Sequence, residues 1–224
     1  MHNPSQRHIY GVPEIPMQSL PSKFFSRYDS SPDGEFYRQP RFVAHIDEAA
    51  IAAVTDLYRE FLPSGGAILD LMSSWISHLP PETDYSAVTG LGLNDEELKS
   101  NPRLSRIVVQ NLNEQPRLPF ENDEFDGAVC CVSVQYLTRP IEVFAQVARV
   151  LKPDAPFVVS FSNRCFLTKA VAVWQALDNA GHGTLVSKYF EVSGGWRDIE
   201  ILNRSPRPHR SDPLWAVVAR RVEV

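Results

Sequence analysis

The sequence predicts an α/β protein with a doubly wound, mostly parallel seven-stranded sheet and an antiparallel last strand. Short apolar runs alternate with helical patterns from residue 67 onward, which is typical of right-handed crossovers in such a sheet. The run from Phe125 to Val134 is apolar apart from Asp126 and Ser133, as a central parallel strand should largely be. A proline-rich connection without room for a long helix joins the last two runs, Ile199 to Leu202 and Leu214 to Val222. We therefore expect these two strands to be antiparallel neighbours.

Residues 1–40 are predicted to form an N-terminal extension to a domain of residues 41–224. Its prolines interrupt any helix: Pro4, Pro13, Pro16, Pro21, Pro32 and Pro40. Its aromatic residues argue against simple disorder: Tyr10, Phe24, Phe25, Tyr28, Phe36 and Tyr37. We expect an arm that packs on the domain or acts as a lid, with residues 20–45 across the mouth of the cleft.

The remaining elements follow the arm in order. A helix begins after the N-cap Asp47 and ends at Pro63-Ser64-Gly65-Gly66, with an apolar stripe of Ile51, Val54, Leu57, Tyr58 and Phe61. The other strands are predicted at Ala67 to Leu71, Tyr85 to Leu91, Arg106 to Leu112 and Phe157 to Phe161. The other helices are predicted between Ser73 or Ser74 and Pro80, at Asn94 to Lys99, at Ile141 to Leu151 and at Phe166 to Leu177. Ligands of such sheets bind at the carboxyl ends of the central strands.

Bulk properties set mild limits on function. A length of 224 residues suits one domain, and a net charge of -5 gives no general attraction to nucleic acid or anionic membranes. The three cysteines include the adjacent pair Cys130-Cys131 in an apolar run, which indicates buried free thiols in a reducing compartment. The Cys and His residues have no zinc-site spacing, and the sequence shows neither a secretory signal nor a membrane-spanning run. A cytoplasmic protein without a metal is expected.

Three segments appear at intervals familiar from one enzyme superfamily. They are Ala67-Ile68-Leu69-Asp70-Leu71, the stretch from Leu118 to Asp126, and Arg149-Val150-Leu151-Lys152-Pro153. Over residues 65 to 222 the chain resembles the class I S-adenosyl-L-methionine (SAM)-dependent methyltransferases, of the type 11-like kind. The resemblance implies their Rossmann-like fold, SAM as cofactor, S-adenosyl-L-homocysteine as product, no metal and a small-molecule acceptor.

A narrower resemblance is to a glycine-poor subgroup of methyltransferase-like proteins from plants and photosynthetic bacteria. It rests on residues 36–47, 69–78 and 160–166, which include Phe36-Tyr37, Ser73-Ser74-Trp75 and Ser162-Asn163-Arg164. In that subgroup the glycine-poor first loop is itself usual. The chain departs from the subgroup at Asn111 and Gln135, where an Asp is expected, and both changes remove a negative charge from the cleft.

The resemblance places Asp70 at the acidic position of the first motif, but the glycine positions that follow hold Met72, Ser74 and Ile76. Glycine is usual there because the backbone approaches the cofactor and takes unusual dihedral angles. Trp75 or Ile76 should therefore occupy part of the cleft or force a different loop path. The hydroxyls of Ser73 and Ser74, with a helix N-terminus, could still meet the cofactor carboxylate.

The acid that usually accepts from the ribose hydroxyls after the second strand is replaced by Gly92. Asn94 or Asp95 could substitute for it, and Gly90 with Gly92 either contacts the cofactor or only forms a tight turn. The adenine is expected beside Asn111, Leu112 and Asn113, because an amide matches the donor and acceptor edge of that ring. Ser133, after the fourth strand, completes the predicted cofactor contacts.

Candidate catalytic and substrate-binding residues lie in two parts of the sequence, at residues 37–78 and 163–165. His45 and His78 could serve as bases, and Tyr37, Arg41 and Arg164 could hold an anionic acceptor. The candidate catalytic residues are His45, Tyr37 and Arg164, and the candidate substrate-binding residues are Arg41, Asn163 and Arg164. Structural alternatives stand beside each: Arg41 could pair with Asp47, Arg164 with a surface acid such as Glu191, and Asn163 could cap the next helix. Cys165 either has a lowered thiol pKa or is an inert packed residue.

Two functions remain open at this point. The first is a SAM-dependent methyltransferase that acts on a small molecule. The second is a non-catalytic methyltransferase-like protein that binds a partner or another ligand, which Ile76 and Gly92 favour. NAD or nucleotide-sugar chemistry is disfavoured because no G-x-G-x-x-G follows the first strand.

Overall fold

A computed structural model describes residues 20–207 and 210–223 and contains one sheet of seven strands. The strands are β1 Ala67–Leu71, β2 Ala87–Gly92, β3 Arg106–Val109, β4 Gly127–Cys131, β5 Pro156–Phe161, β6 Trp196–Asn203 and β7 Trp215–Arg221. The helices are α1 Asp33–Phe36, α2 Glu48–Phe61, α3 Asp95–Ser100, α4 Pro140–Val150, α5 Ala172–Gln175 and α6 Asn179–Ser193, with 3-10 turns at Ser22–Phe25 and Val134–Tyr136. Pro4, Tyr10, Pro13 and Pro16 of the predicted arm lie outside the described residues.

The strand order is β3-β2-β1-β4-β5-β7-β6, and the predicted fold class is confirmed. β1 pairs in parallel with both β2 and β4, so the order reverses between β1 and β4. β7 is antiparallel to both β5 and β6, as the short proline-rich connection predicted for the last two strands. The carboxyl ends of β1, β2 and β4 therefore meet at one edge, where this fold offers a ligand crevice.

Apolar side chains cover the sheet on both faces. On one face Val54 and Tyr58 of α2 pack in a buried cluster with Ile68 and Val129 of the central strands. On the other face Phe144 of α4 packs edge-on against Phe157 of β5 and Tyr189 of α6. Burial on both faces explains why the central strands are continuous apolar runs.

Two predicted helices are wrong. Residues 72–86 form turns and loops instead of a helix after Ser73 or Ser74, and Met72 and His78 have φ angles of 57° and 52°, which no right-handed helix contains. The predicted helix from Phe166 to Leu177 shrinks to the four residues of α5. The long helix is the unpredicted α6, which begins after the N-cap Asp178, whose carboxylate accepts from the Gly181 amide at 2.8 Å.

Candidate functional site

A cavity of about 330 Å³ lies at the carboxyl ends of β1, β2 and β4, where the strand order reverses. Most of the predicted site residues line it: Tyr37, Arg41, His45, Asp70, Ser73, Ser74, Trp75, Gly92, Asn94, Asn111, Leu112, Asn113, Ser133 and Arg164. Gly90 and Asn163 are not among the lining residues. A Cβ on Gly90 would collide with Leu104 instead, which gives that glycine a packing role.

The loop after β1 folds back over the end of β2. Met72 takes the left-handed conformation of a glycine, with φ 57°, and the Ser73 amide donates to the Leu91 carbonyl at 2.8 Å. This path brings the Ser73 carbonyl oxygen so close to Gly92 that a Cβ atom there would overlap it. No carboxylate can occupy position 92 while the loop keeps this path, so the path of the loop explains the absence of an acid after β2.

Side chains hold the loop in place. Ser73 Oγ and Ser77 Oγ both donate to Asp70 Oδ2, at 2.7 and 2.6 Å. Burial raises the pKa of Asp70 to about 6, and the two hydroxyls oppose that rise. The predicted helix N-terminus for a cofactor carboxylate does not form, because no helix follows the loop in residues 72–86.

Glu97 is a buried acid in the cavity wall that the sequence analysis missed. Its Oε2 accepts from Ser74 Oγ at 2.6 Å and its Oε1 from the Arg41 backbone amide at 2.7 Å. The pattern Asn94-x-x-Glu97 is typical of a helix start, and Asn94 Oδ1 does accept from the Glu97 amide at 3.0 Å. That capping role was the available signal, but it gave no indication that the carboxylate faces a cavity.

Trp75 lies in the cavity wall and contacts the arm. Its Nε1 donates to the Val43 carbonyl at 3.1 Å, and its ring meets Phe42 edge-on with centroids 6.3 Å apart. Ile76 also lines the cavity and is partly exposed. The loop and the arm thus hold each other in place.

The three predicted asparagines bind other parts of the chain. Asn113 donates to Asp33 Oδ2 and to the Tyr136 carbonyl at 2.9 and 3.0 Å, and it accepts from the Thr138 amide. Asn111 closes a turn by accepting from the Asn113 amide, and it donates to Glu114. Asn94 donates to the carbonyls of Tyr37 and Arg38 at 2.9 and 3.1 Å. Both amide hydrogens of Asn113 and of Asn94 are therefore used within the protein.

A buried charge cluster fixes residues 27–33 of the arm. Lys169 is fully buried and its Nζ donates to the Ser31 carbonyl at 2.7 Å. The same Nζ lies 3.3 Å from Asp29 and 3.4 Å from Asp33, which also pairs with Arg27 at 2.7 Å. A buried ammonium group is stable only with such partners, so the cluster holds the arm against the domain.

Arg41 sits among aromatic rings where the arm crosses the cavity. Its guanidinium carbon lies 4.7, 5.6 and 5.3 Å from the ring centroids of Phe36, Tyr37 and Phe166. Nη2 donates to the Phe36 carbonyl at 2.9 Å, whereas Nη1 is buried without a hydrogen-bond partner in the described residues. The alternative of a pair with Asp47 is wrong, because Asp47 caps α2 and accepts from the Asp212 amide.

Arg164 lies on the cavity side of the loop after β5, with 63% of its side chain exposed. Its Nε donates to Asp212 Oδ1 at 2.8 Å, so its ion-pair partner is Asp212 and not Glu191. Asn163 caps no helix, because residues 164–171 form turns and loops.

Burial keeps two histidines and one tyrosine of the cavity uncharged. It lowers the pKa of His45, a shift that nearby Glu97 opposes and Arg41 assists, and it lowers the pKa of His78 to about 4, with His45 adding to the effect. It also raises the pKa of Tyr37 well above its usual range. The pKa of Cys165 is raised by burial, so the alternative of a lowered thiol pKa is wrong. At neutral pH both imidazoles are uncharged and the phenol keeps its proton.

Within the described part of the chain, no three or more His, Cys, Asp or Glu side chains are arranged to hold a metal ion. None of the helices in residues 20–207 and 210–223 combines the length and apolar character needed to cross a bilayer.

Comparison with known proteins identifies the domain. Residues 73–159 match the family model described as a methyltransferase domain. The biotin biosynthesis bifunctional protein BioHC of Teredinibacter turnerae is 29% identical over 82 residues, which is 37% of this chain and 14% of that protein. The chain thus spans only a small part of that relative.

Solved structures share the fold. An S-adenosylmethionine dependent methyltransferase from Mesorhizobium loti is 19% identical, with a TM-score of 0.54 over 75% of this chain and 98% of the other. Phosphoethanolamine N-methyltransferase 2 of Haemonchus contortus, solved with S-adenosyl-L-methionine, is 14% identical, with a TM-score of 0.56 over 77% of this chain and 52% of the other. At these identities the likeness concerns the fold alone.

The resemblance to class I SAM-dependent methyltransferases is confirmed by the family match together with the sheet order. The narrower resemblance to a plant and photosynthetic-bacterial subgroup stays a prediction.

Proposed function

We propose that this protein is a SAM-dependent methyltransferase that acts on a small-molecule acceptor. One observation supports this most: the cavity at the strand switch point still has an acid beside the end of β2, supplied by Glu97 of α3 instead of residue 92. A methyltransferase domain with no acid in this wall would be a poor candidate for binding a ribose, whose hydroxyls need an acceptor.

The side chains in the wall suit the parts of SAM. A carboxylate has about four acceptor positions, and Glu97 uses two of them within the protein, so it keeps capacity for the ribose hydroxyls. Leu93 and Leu112 offer an apolar wall for the adenine, with Ser133 on the β4 side. Asp70, at the end of β1, would lie toward the methionine end of the cofactor. The cofactor, when bound, supplies an electrophilic methyl group on a sulfonium.

The chain's own residues would bind and prepare the acceptor. His45 is uncharged at neutral pH, so a ring nitrogen can take the proton that the acceptor loses. Tyr37 keeps its phenolic proton and can donate to the acceptor, while Arg41 and Arg164 can hold a negative charge on it. The arm is held against the domain by Asn94 and Lys169, and in this proposal it would help to exclude water from the acceptor.

A non-catalytic, methyltransferase-like binding protein is the second candidate. The hydroxyls of Ser73 and Ser74 donate to Asp70 and Glu97, and no helix N-terminus follows the loop. These observations favour a protein that has lost the contacts to the cofactor carboxylate.

Calorimetric titration of the full chain with SAM and with S-adenosyl-L-homocysteine distinguishes the two candidates. We expect dissociation constants in the micromolar range for both ligands, and no heat for NADH as a control nucleotide. Absence of binding at millimolar concentrations of both adenosyl ligands would leave the second candidate.

A further inference from the structure

The buried Nη1 of Arg41 is a charged donor that lacks a protein acceptor in the described residues. Among the ion pairs formed by residues 20–207 and 210–223, none includes Arg41. Glu97 accepts from the Arg41 backbone amide and from Ser74, but it makes no hydrogen bond with Nη1 of the guanidinium. Arg41 lines the cavity, so its guanidinium brings an unused hydrogen-bond donor to the cavity wall.

An unused buried donor is unfavourable, and Arg41 cannot relieve it by losing a proton, because arginine stays charged at any ordinary pH. The rings of Phe36, Tyr37 and Phe166 stabilise the cation through their faces, but they provide no acceptor for Nη1. A ligand oxygen in the cavity would satisfy it. An anionic oxygen would do so with a stronger, charge-assisted bond.

The groups around Arg41 limit the charge of such a ligand. His45 and His78 are uncharged at neutral pH because burial lowers the pKa of both. Arg164 is largely exposed at the rim and already donates to Asp212. The Glu97 carboxylate lies beside Arg41 and would repel a second negative charge, so this site matches a monoanion better than a phosphate dianion.

The wall beside Arg41 is aromatic. Tyr136 and Phe166 are stacked with centroids 6.0 Å apart, and Tyr37 meets Phe166 edge-on at 6.4 Å. Flat rigid walls of this kind favour a planar ligand, because ring faces and edges pack best against another ring.

From these observations we infer that the acceptor is a small planar carboxylic acid whose carboxylate binds Arg41 Nη1. This inference rests on the proposed function and specifies the substrate class for the same cavity. In this inference Arg41 binds the carboxylate of the acceptor, and the exposed Arg164 at the rim contributes less to binding it.

The test uses benzoate and its uncharged counterpart benzamide as probes. Binding to the full chain is measured by ligand-observed NMR titration with S-adenosyl-L-homocysteine present. We expect wild type to prefer benzoate by about tenfold or more, as a charge-assisted bond implies. Arg41→Gln should remove the preference. Arg38→Gln, which removes an exposed arginine of the same segment, should keep it.

Equal binding of the two probes by wild type, or a preference that survives Arg41→Gln, would overturn the inference. The wild-type comparison needs no variant, so it decides the matter even if Arg41→Gln fails to fold. The second source of a carboxylate is the cofactor itself. If Arg41→Gln weakens S-adenosyl-L-homocysteine but not 5′-methylthioadenosine, which lacks the amino-acid part, Arg41 binds the cofactor and the acceptor assignment is wrong.

Failure of this inference and failure of the proposed function are distinguishable. If S-adenosyl-L-homocysteine binds while benzoate shows no preference, only the substrate class is wrong. If the adenosyl ligand does not bind, the proposed function is wrong as well.

Discussion

The carbonyl oxygen of Ser73 occupies the space that a Cβ atom on Gly92 would need. The loop after β1 and the end of β2 are therefore matched to each other. Seen in sequence, the glycine-poor loop and the missing ribose acid are two separate losses. In the structure the path of the loop accounts for Gly92, and Glu97 provides an acid in the same wall.

The first prediction concerns this contact. Gly92→Ala should lower the free energy of unfolding by about 1–3 kcal/mol, the usual cost of overpacking, because the loop must move. Gly92→Asp, which restores the acid typical of the superfamily, should be worse and should not improve binding of S-adenosyl-L-homocysteine. Urea unfolding measures the first effect and calorimetry the second. Gly34→Ala is the control, since a Cβ on Gly34 would meet nothing within 4 Å.

The central strands could be predicted from the sequence because their signals are local. Ala67–Leu71 is an apolar run that follows Gly65-Gly66, and the structure gives the strand those bounds. The long helix α6 could not be predicted in the same way. Gly181 and Gly183 disfavour a helix, and polar residues such as His182 are buried within it, so no apolar stripe appears. Gly183 is needed because a Cβ there would lie 2.7 Å from Ile201 Cγ2 of β6.

The roles of the site residues could be predicted only in part, because they depend on tertiary contacts. The positions at strand ends could be found, since the topology brings them to one edge. The hydrogen-bond partners of each side chain could not be found, because they lie far away in the sequence. Asn113 binds Asp33 of the arm, and Glu97 binds the Arg41 amide. No pattern within a single segment carries that information.

The second prediction concerns Asp70. Its pKa is about 6 in the folded protein against about 4 in an unfolded chain. The folded state binds the proton more tightly, so stability falls as pH rises from about 4 to 6 and is then level. In Asp70→Asn, the amide oxygen can still accept from Ser73 and Ser77. The difference in free energy of unfolding between this variant and wild type should therefore shift in favour of the variant by about 2 kcal/mol from pH 4 to pH 7. Unfolding at a series of pH values measures this difference, and a constant difference would contradict it.

The third prediction concerns His78, whose pKa of about 4 has the opposite consequence. An unfolded chain binds the proton near pH 6.5 but the folded protein does not, so stability falls as pH drops from about 6.5 to 4. In His78→Asn, the free energy of unfolding should not show this decrease of about 2 kcal/mol between pH 6.5 and 4. Asn is a suitable replacement because it tolerates the φ of 52° at this position. NMR titration of the ring protons checks the same point: a midpoint near 6.5 in the folded protein would rule out the burial effect.

The fourth prediction concerns the arm. Bound S-adenosyl-L-homocysteine should slow chymotryptic cleavage at Tyr28, which is 87% exposed. Lys169→Met should speed that cleavage, because Asp29 and Asp33 then lose their buried partner. Lys99→Met, at an exposed ion pair with Asp95, is the control and should cleave like wild type. If saturating ligand leaves the rate unchanged, the arm is only a structural strap.

The central claim, that Glu97 replaces the ribose acid, is tested most directly by comparing the affinities of adenosine and 2′,3′-dideoxyadenosine for wild type and Glu97→Gln. Wild type should prefer adenosine by about tenfold or more, since hydrogen bonds to a charged acceptor are strong. Asp95→Asn changes an exposed acid of the same helix that does not line the cavity, so it should keep the preference. Glu97→Gln should lose most of it, whereas general loosening of the loop would weaken both ligands equally. An undiminished preference in Glu97→Gln would contradict the claim.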